Sequence, residues 1–233
     1  MRAFLCLLVL GIGPVGTVVA QDRAIESLLN RPEVARYLEY FTGAGRERMG
    51  RWLTRGNPYR QLIQSKLDSV GLPSEFGSLP LIESGFSNTA VSRAGAVGMW
   101  QFIPETAREY GLRVDRWVDE RRDPYRATDA AIRHILDLNR TFGEPLLAAA
   151  AYNGGTGRVS RSLERLRRTG SDSSDGPDFF SLAARGMLPQ ETSNYVPQFL
   201  AAAAIAGNPE AYGFQVDSAD AIATDSVRIE RPI

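Results

Sequence analysis

Residues 74–86 read SEFGSLPLIESGF, a segment that is apolar on most of its faces. Its large apolar side chains lie close together along the chain: Phe76, Leu79, Leu81 and Ile82. This density predicts a buried helix over 74–83, which Pro80 is expected to interrupt. The helix should end at Glu83, because Ser84 and Gly85 follow as turn residues. A carboxylate therefore stands at the end of a buried element.

On both sides of this segment, apolar residues recur at the spacing of an amphipathic helix. Val34, Tyr37, Leu38 and Phe41 recur at three- and four-residue spacing over 31–41, with Asn30 as the expected cap. Further helices are predicted over 46–55, 57–70, 104–110, 124–142, 144–152, 158–168 and 190–206. No internal repeat and no sustained period-two alternation is present, so the fold class is mostly α.

Two stretches lack such a pattern. Residues 169–178 (TGSDSSDGPD) contain small, polar and turn residues and predict an exposed loop. After Gly207 the helical periodicity fails, and 207–233 is expected to be a tail without an assigned element.

The overall composition excludes several function classes. The 233 residues include 27 Lys and Arg and 27 Asp and Glu, so the formal net charge is zero. The chain therefore lacks the net positive charge that attracts most nucleic-acid-binding proteins to their ligand. There is one histidine, His134, and one cysteine, Cys6, which are too few for a zinc site. We therefore expect neither metal nor other cofactor, and a structural or surface role for His134.

The N-terminus has the pattern of an export signal. Arg2 precedes a continuous apolar run over 3–10, and Val18, Val19 and Ala20 form a small-residue site before polar Gln21. Cleavage after Ala20 would remove Cys6 and send a cysteine-free protein to the periplasm or cell envelope. A retained membrane anchor is the alternative, although the apolar run is shorter than the ~20 residues of a spanning helix.

Glu83 is the residue with the clearest chemical potential. Burial disfavours the charged form of a carboxyl group, so its pKa rises and it can hold a proton near neutral pH. A general acid that protonates a glycosidic oxygen needs this property. The alternative is a structural glutamate that caps the loop or pairs with one of the many arginines.

Four ordered motifs narrow these alternatives. They are Glu83-Ser84, then GMWQFIP over 98–104, then AYNGG over 151–155, then ETSNYVP over 191–197. Their order and spacing resemble those of the lytic transglycosylases of glycoside hydrolase family 23, and within it the membrane-bound D branch. The resemblance extends over roughly 32–206. It implies a lysozyme-like helical SLT domain with additional N-terminal helices.

The resemblance also implies a reaction and a set of site residues. The family cleaves the β-1,4 bond between N-acetylmuramic acid and N-acetylglucosamine in peptidoglycan without water and forms a 1,6-anhydro ring. Glu83 would act as acid and then as base, and Glu191 would be a structural anchor. The residues implied to bind the glycan are Ser84, Gly98, Met99, Gln101, Tyr152, Asn153 and Tyr195. Trp100, which separates Met99 from Gln101, could stack on a sugar, but a core position is favoured.

Two alternatives remain. A goose-lysozyme-like hydrolase would need a second carboxylate, yet residues 84–104 contain no Asp or Glu. Four acidic residues follow and could reach a groove only by folding back: Asp115, Asp119, Glu120 and Asp123. The other alternative is a glycan-binding module without catalysis.

The sequence also predicts how the chain is organised. We expect a signal peptide over 1–20, a helical region over 21–73 packed on the catalytic domain, the catalytic domain itself over 74–206, and the tail over 207–233. Glycan strands are the expected partner, and the protein is expected to be a monomer.

Overall fold

The computed structural model describes residues 27–168 and 178–216. Within them the α-helices are α1 (Pro32–Thr42), α2 (Arg46–Gly56), α3 (Arg60–Val70), α4 (Leu79–Ser84), α5 (Pro104–Glu109), α6 (Pro124–Phe142), α7 (Pro145–Gly154), α8 (Thr156–Arg168), α9 (Phe179–Ala184) and α10 (Gln190–Gly207). The β pairing in this part of the chain consists of isolated bridges, Val91 with Val97, Val97 with Phe102, and Val114 with Asp119. The described fold is helical, as the periodicity predicts.

The helical core is built around α10, which is rich in small residues. Ala201, Ala202 and Ile205 on α10 are fully buried, and α10 packs against α1, α7 and the 3-10 turn before α4. Small side chains let neighbouring helices approach closely. Gly154 at the end of α7 shows this, because a Cβ there would lie 2.7 Å from the Thr192 hydroxyl oxygen.

Phe76, Leu79 and Leu81 of the segment predicted to be buried, 74–83, lie in the core, but the local structure of this segment differs from the prediction. Residues Ser74–Ser78 form a 3-10 helix, and α4 begins only at Leu79. Pro80 lies in the first turn of α4 rather than interrupting a longer helix. The missing N–H of a proline costs nothing there, because the first N–H groups of a helix have no acceptor within the helix.

Other helix boundaries agree with the periodicity to within a few residues, with three differences. Arg31 rather than Asn30 is the N-cap of α1, and its side chain makes no capping bond, so the predicted cap is wrong. The predicted helix over 57–70 begins with a 3-10 turn at Asn57–Tyr59. Helix α9 was not predicted; Asp178 caps it by accepting a hydrogen bond from the Ser181 amide.

The first part of the predicted tail is ordered against the core. Pro209–Tyr212 form a 3-10 helix, and Phe214 is buried, with the Arg46 guanidinium 4.7 Å from the centre of its ring. The export signal, the loop over 169–177 and residues 217–233 lie outside the described residues. No helix in the described ranges is both long and apolar enough to cross a membrane.

Candidate active site

Glu83 lies in the last turn of α4, facing a tyrosine of α10. The Tyr195 hydroxyl donates a 2.6 Å hydrogen bond to Glu83 Oε1. Helix α4 stops one residue later because Gly85 adopts the left-handed conformation, with φ +59°, which favours glycine. The short helix and the long helix α10 thus bring together two residues that are 112 positions apart.

The carboxyl group of Glu83 is strongly desolvated. Burial raises its pKa from 4.5 to about 7; the hydrogen bond from Tyr195 lowers it, and the negative charge of Glu191 raises it. A pKa near neutrality allows one carboxyl group to give up a proton and to take one back at the same pH. Glu83 therefore has the property that the sequence predicted from its position.

The turn after Glu83 is held from behind by α2. The indole ring of Trp52 lies against Gly85, so closely that a Cβ there would be 2.1 Å from the ring. Arg55 Nη1 donates to the Gly85 carbonyl oxygen at 2.9 Å, and the ring of Phe86 covers Gly56. Phe86 itself has φ +60°, a strained value for a residue with a side chain. These contacts fix the end of α4 and hence the direction of Glu83.

The loop over 98–101 is fixed by hydrogen bonds to its carbonyl oxygens. Ser84 Oγ donates to the Met99 oxygen at 2.9 Å, and the Tyr152 hydroxyl donates to the Trp100 oxygen at 2.7 Å. Gln101 Nε2 donates to the Gly98 oxygen at 2.7 Å, and Gln101 has φ +50°. The Ser84 and Tyr152 hydroxyls therefore hold the loop beside Glu83.

Gly98 has a packing role that the sequence did not reveal. Its φ is +83°, and a Cβ on it would lie 1.9 Å from the carbonyl oxygen of Arg121. Arg121 is buried; its Nη1 donates to the carbonyl oxygens of Gly95 and Phe102, and its Nε and Nη2 bond to Asp119. The glycine is required by this contact within the protein, and its contact with a sugar stays a prediction.

The side chains of Met99 and Trp100, two residues of this loop, are buried in the core and have no exposed surface. Trp100 Nε1 donates to Thr128 Oγ1 of α6 at 3.0 Å, which confirms the favoured core position of Trp100. Because Met99 has no exposed surface, its side chain does not line a subsite in this structure as was predicted.

Asn153 is oriented by α10. Its Oδ1 accepts a hydrogen bond from Thr192 Oγ1 at 3.0 Å, and its amide nitrogen Nδ2 is the donor that could meet a ligand. Tyr195 is buried and Tyr152 is partly buried, and desolvation together with the charge of Glu83 raises the pKa of both phenols well above 10. Both tyrosines therefore stay protonated and can donate hydrogen bonds.

His134 packs behind Tyr152 and is structural. Its ring centre lies 5.2 Å from that of Tyr152 and 4.7 Å from that of Tyr110. Burial lowers its pKa to about 4, so the imidazole is neutral at physiological pH. Among the described residues, no group of three His, Cys, Asp or Glu side chains could hold a metal ion.

The acidic residues that could have supplied a second carboxylate serve local structure. Asp115 pairs with Arg113, Asp119 with Arg121 and Glu120 with Arg126, while Asp123 caps α6. Glu191 is different, because it is exposed in the first turn of α10 and its charge acts on Glu83. The described structure thus leaves Glu191 as the carboxylate whose charge reaches Glu83.

A cavity of about 880 Å³ lies elsewhere in the molecule. Leu81 and Phe86 line it, together with residues of α3 and α10, but Glu83 does not. The cavity is therefore separate from the cluster of Glu83, Tyr152 and Tyr195.

Several residues that build the site were not identified from the sequence: Trp52, Arg55, Arg121, Thr192 and the charge of Glu191. Each acts across a long separation in the chain or through the backbone, and no local motif marks it. Asp119 and Arg121 lie two residues apart, a spacing that allows an ion pair, but such pairs of charged residues are common in an arginine-rich chain and do not by themselves indicate a site.

Comparison with known proteins agrees with this architecture. The family model described as "Transglycosylase SLT domain" matches residues 62–173. The membrane-bound lytic murein transglycosylase D of Escherichia coli is 40% identical over 167 residues, a match that covers 71% of this chain and 35% of that protein. The chain thus spans about a third of the length of this curated relative.

Two solved structures share the fold. The lytic transglycosylase Slt of Pseudomonas aeruginosa, solved as an inactive mutant, superposes with a TM-score of 0.51 at 26% identity, over 68% of this chain and 25% of that one. The 70 kDa soluble lytic transglycosylase of Escherichia coli superposes with a TM-score of 0.52 at 22% identity, over 67% and 25% of the two chains. The predicted mostly α, lysozyme-like fold is confirmed. Residues 62–173 form a transglycosylase SLT domain, and this part of the chain belongs to the lytic transglycosylase SLT family.

Proposed function

We propose that this protein is a peptidoglycan lytic transglycosylase that cleaves the β-1,4 bond between N-acetylmuramic acid and N-acetylglucosamine. The observation that carries the proposal is Glu83, a desolvated carboxyl with a pKa of about 7 that accepts a hydrogen bond from Tyr195. Membership of the SLT family supports the assignment of substrate class.

The reaction uses Glu83 twice. The protonated carboxyl donates its proton to the glycosidic oxygen, and the N-acetylglucosamine side leaves while the 2-acetamido oxygen of the muramic acid assists at C1. The Glu83 carboxylate then takes the proton of the C6 hydroxyl, whose oxygen bonds to C1 and displaces the acetamido oxygen. The product is the 1,6-anhydro ring, no water is consumed, and Glu83 is protonated again.

The surrounding residues have roles that this mechanism requires. Tyr195 orients the carboxyl and stabilises its anionic form between the two steps. The Asn153 amide nitrogen and Gln101 Oε1 are the atoms proposed to recognise acetamido and hydroxyl groups, because Asn153 Oδ1 and Gln101 Nε2 are already hydrogen-bonded within the protein. Ser84, Gly98, Met99 and Tyr152 fix the loop on which Gln101 lies.

Hydrolysis is the competing reaction, and the position of Glu191 is the observation that favours it. A hydrolase would use a second carboxylate as nucleophile or as base for a water molecule. Glu191 is exposed and acts electrostatically on Glu83, so it is the residue to test.

The decisive experiment compares two isosteric substitutions on intact sacculi, with products identified by mass spectrometry. Wild type should release muropeptides that are lighter by one water than the hydrolytic products. Glu83→Gln should lower turnover by at least about 10³-fold, since it removes the acid and the base together. Glu191→Gln, the matched control, should retain turnover when it is assayed at a pH below the alkaline limb of its rate profile.

Two results would contradict the proposal. Reducing muramic acid ends in the products, with turnover lost in Glu191→Gln, would indicate a hydrolase with two carboxylates. Unchanged turnover in Glu83→Gln would remove Glu83 from the chemistry altogether.

The location and organisation of the protein complete the proposal. The N-terminal pattern supports export to the cell envelope with cleavage after Ala20, and the substrate class fits this compartment. Residues 21–73 are proposed as a helical region supporting a catalytic domain over 74–206, which acts as a monomer on glycan strands.

A further inference from the structure

Trp117 is unusually exposed for its size. It lies at the tip of a hairpin whose ends are joined by the bridge between Val114 and Asp119, and 78% of its surface is accessible. Trp100, by contrast, has no exposed surface, and Trp52 is packed against Gly85. A large aromatic side chain that is left in water at a loop tip is a candidate binding residue.

The hairpin holds Trp117 rigidly outward. Asp115 Oδ1 accepts hydrogen bonds from the amides of Trp117 and Val118 at 2.8 and 2.9 Å, and Asp115 Oδ2 pairs with Arg113. Arg108 of α5 donates to the Val114 carbonyl oxygen. Because the backbone is already fixed, binding at this position costs mainly the rotamer entropy of the two side-chain torsions of Trp117.

The hairpin is also joined directly to the loop beside Glu83. Asp119, at the end of the hairpin, forms two hydrogen bonds of 2.8 Å to Arg121. Arg121 in turn bonds to the Gly95 and Phe102 carbonyl oxygens, on either side of Gly98 to Gln101. The position of Trp117 is therefore fixed relative to the loop at the active site.

From these observations we infer that Trp117 is a sugar-stacking platform that binds a glycan strand at a distance from the scissile bond. The inference rests on the proposed function, since a polymeric substrate extends well beyond the bond that is cleaved. The Arg116 guanidinium lies 4.7 Å from the centre of the Trp117 ring and occupies one face. The opposite face is free for the C–H face of a pyranose ring, and Arg116 can meet carboxylates of the lactyl group or stem peptide.

A membrane surface is the other partner that an exposed tryptophan beside an arginine could suggest. The charge at the tip argues against it. The amide of Trp117 and the Arg113 side chain lower the pKa of Asp115 to about 2, so this carboxylate stays ionised at physiological pH. Moving this ionised carboxylate and its partner Arg113 out of water into a bilayer interface would be costly.

The test measures binding without turnover, so each variant carries Glu83→Gln. The probe is a preparation of long glycan strands freed of stem peptides by an amidase. Trp117→Ala should weaken strand binding about tenfold, the size expected for losing one aromatic contact, whereas Trp117→Phe should keep most of the affinity. Val70→Ala, at an exposed position on α3, is the control and should bind like the parent.

Intrinsic fluorescence gives a second reading that a purely structural residue would not change. Stacking of a sugar on Trp117 should shift the emission of the parent protein to shorter wavelength on addition of strands, and this shift should be lost in Trp117→Phe. Strands that retain their stem peptides should bind more tightly, and Arg116→Gln should remove that difference.

Three results would overturn the inference. Trp117→Ala could bind strands as Val70→Ala does. The fluorescence shift could persist in Trp117→Phe. Vesicles of phosphatidylglycerol could bind the parent and not Trp117→Ala, while strand binding is unchanged, which would assign Trp117 to a membrane. Because all these measurements use inactive protein, they stand apart from the product analysis that tests the transglycosylase reaction.

Discussion

At the scale of single residues, the site depends on one carboxyl group whose environment combines opposing influences. Burial and the charge of Glu191 raise the Glu83 pKa, and the hydrogen bond from Tyr195 lowers it. The balance lies near neutral pH, which suits a group that must act in both protonation states. The hydrogen bond and the charge come from two different residues, so each of these two influences can be removed separately.

The pH dependence of kcat/KM should report this balance. The free enzyme needs protonated Glu83, so the rate should fall as pH rises through about 7. Tyr195→Phe removes the bond that lowers the pKa, and the alkaline limb should move to higher pH. Glu191→Gln removes the charge that raises the pKa, and the limb should move to lower pH.

These shifts can be measured as initial rates on soluble glycan fragments between pH 5 and 9, with the buffer ionic strength held constant. Shifts of the same sign in both variants, or a wild-type rate that does not fall above neutrality, would contradict the assignment of Glu83 as the acid.

Alanine substitutions at two glycines of one loop distinguish the cost of a left-handed backbone from the cost of a steric clash. Gly95 and Gly98 have φ of +79° and +83°, but nothing lies within 4 Å of a Cβ at Gly95, whereas one at Gly98 would meet the Arg121 carbonyl oxygen. Gly95→Ala should lower the free energy of unfolding by about 1–2 kcal/mol, the cost of a left-handed non-glycine residue. Gly98→Ala should cost clearly more, because two backbone segments must separate.

Urea unfolding at pH 7 measures both free energies under the same conditions. Gly98→Ala should also weaken strand binding in the Glu83→Gln background, since the loop beside Glu83 would move. Equal losses of stability in the two variants would mean that the contact with Arg121 relaxes without cost.

At the scale of elements, the active site is a junction between one short helix and several backbone segments that have no regular structure of their own. Residues 85–103 form no helix, and their carbonyl oxygens are bonded by side chains from other elements: Arg55, Ser84, Tyr152 and Arg121. Because buried carbonyl groups must find donors, these side chains replace the hydrogen bonds of a sheet or helix.

Arg121 is the side chain on which this loop depends most. It is 7% exposed and bonds to two carbonyl oxygens and to Asp119, so its removal leaves buried acceptors without donors. Arg121→Met should destabilise the fold by about 3 kcal/mol. The neighbouring Arg122 is 41% exposed, and its contact with Asp119 is longer, at 3.9 Å. Arg122→Met should therefore lower the free energy of unfolding by less than about 1 kcal/mol.

Thermal unfolding of the two variants gives the comparison, and strand binding in the Glu83→Gln background shows whether the loop has moved. Near-equal melting temperatures for Arg121→Met and Arg122→Met would contradict the role given to Arg121.

At the scale of the whole molecule, α1 and α2 lie outside the family match at 62–173 but are part of the structure that supports the site. Helix α1 packs along α10, which carries Tyr195, and α2 places Trp52 and Arg55 on the turn after Glu83. Four of their large apolar side chains are buried: Val34, Phe41, Met49 and Leu53. Helices α1 and α2 and the SLT domain therefore share one core.

A chain that begins at Asn57 should not fold cooperatively. Burial of the four side chains is worth about 6–12 kcal/mol in all, which is comparable with the roughly 5–15 kcal/mol net stability of a typical domain. Circular dichroism on heating should show no sharp transition, whereas the chain over 27–233, the reference, should show one. A sharp transition in the shorter chain would indicate a domain that begins near residue 57.

Most helices, the raised pKa of Glu83 and the burial of Trp100 could be predicted from the sequence, because the pattern of neighbouring residues indicates each of them. Local periodicity determines where an amphipathic helix forms, so the boundaries of α6 and α10 were predicted to within a residue. The position of Glu83 at the end of an apolar segment was enough to predict a carboxyl with a raised pKa. The burial of Trp100 was predicted as well, because a large aromatic residue between loop residues most often fills a core.

What the sequence could not determine depends on contacts between distant residues. The pairing of Tyr195 with Glu83, the contact of Gly98 with Arg121, and the position of Trp52 behind Gly85 each join segments far apart in the chain. Pro80 shows the same limit locally: whether it interrupts a helix or begins one depends on where the preceding turn ends. The amino-acid sequence by itself determined most of the helices and the position of Glu83 at the end of an apolar segment, since both follow from local patterns, whereas the burial of its carboxyl group and the arrangement of groups around it were decided by tertiary packing.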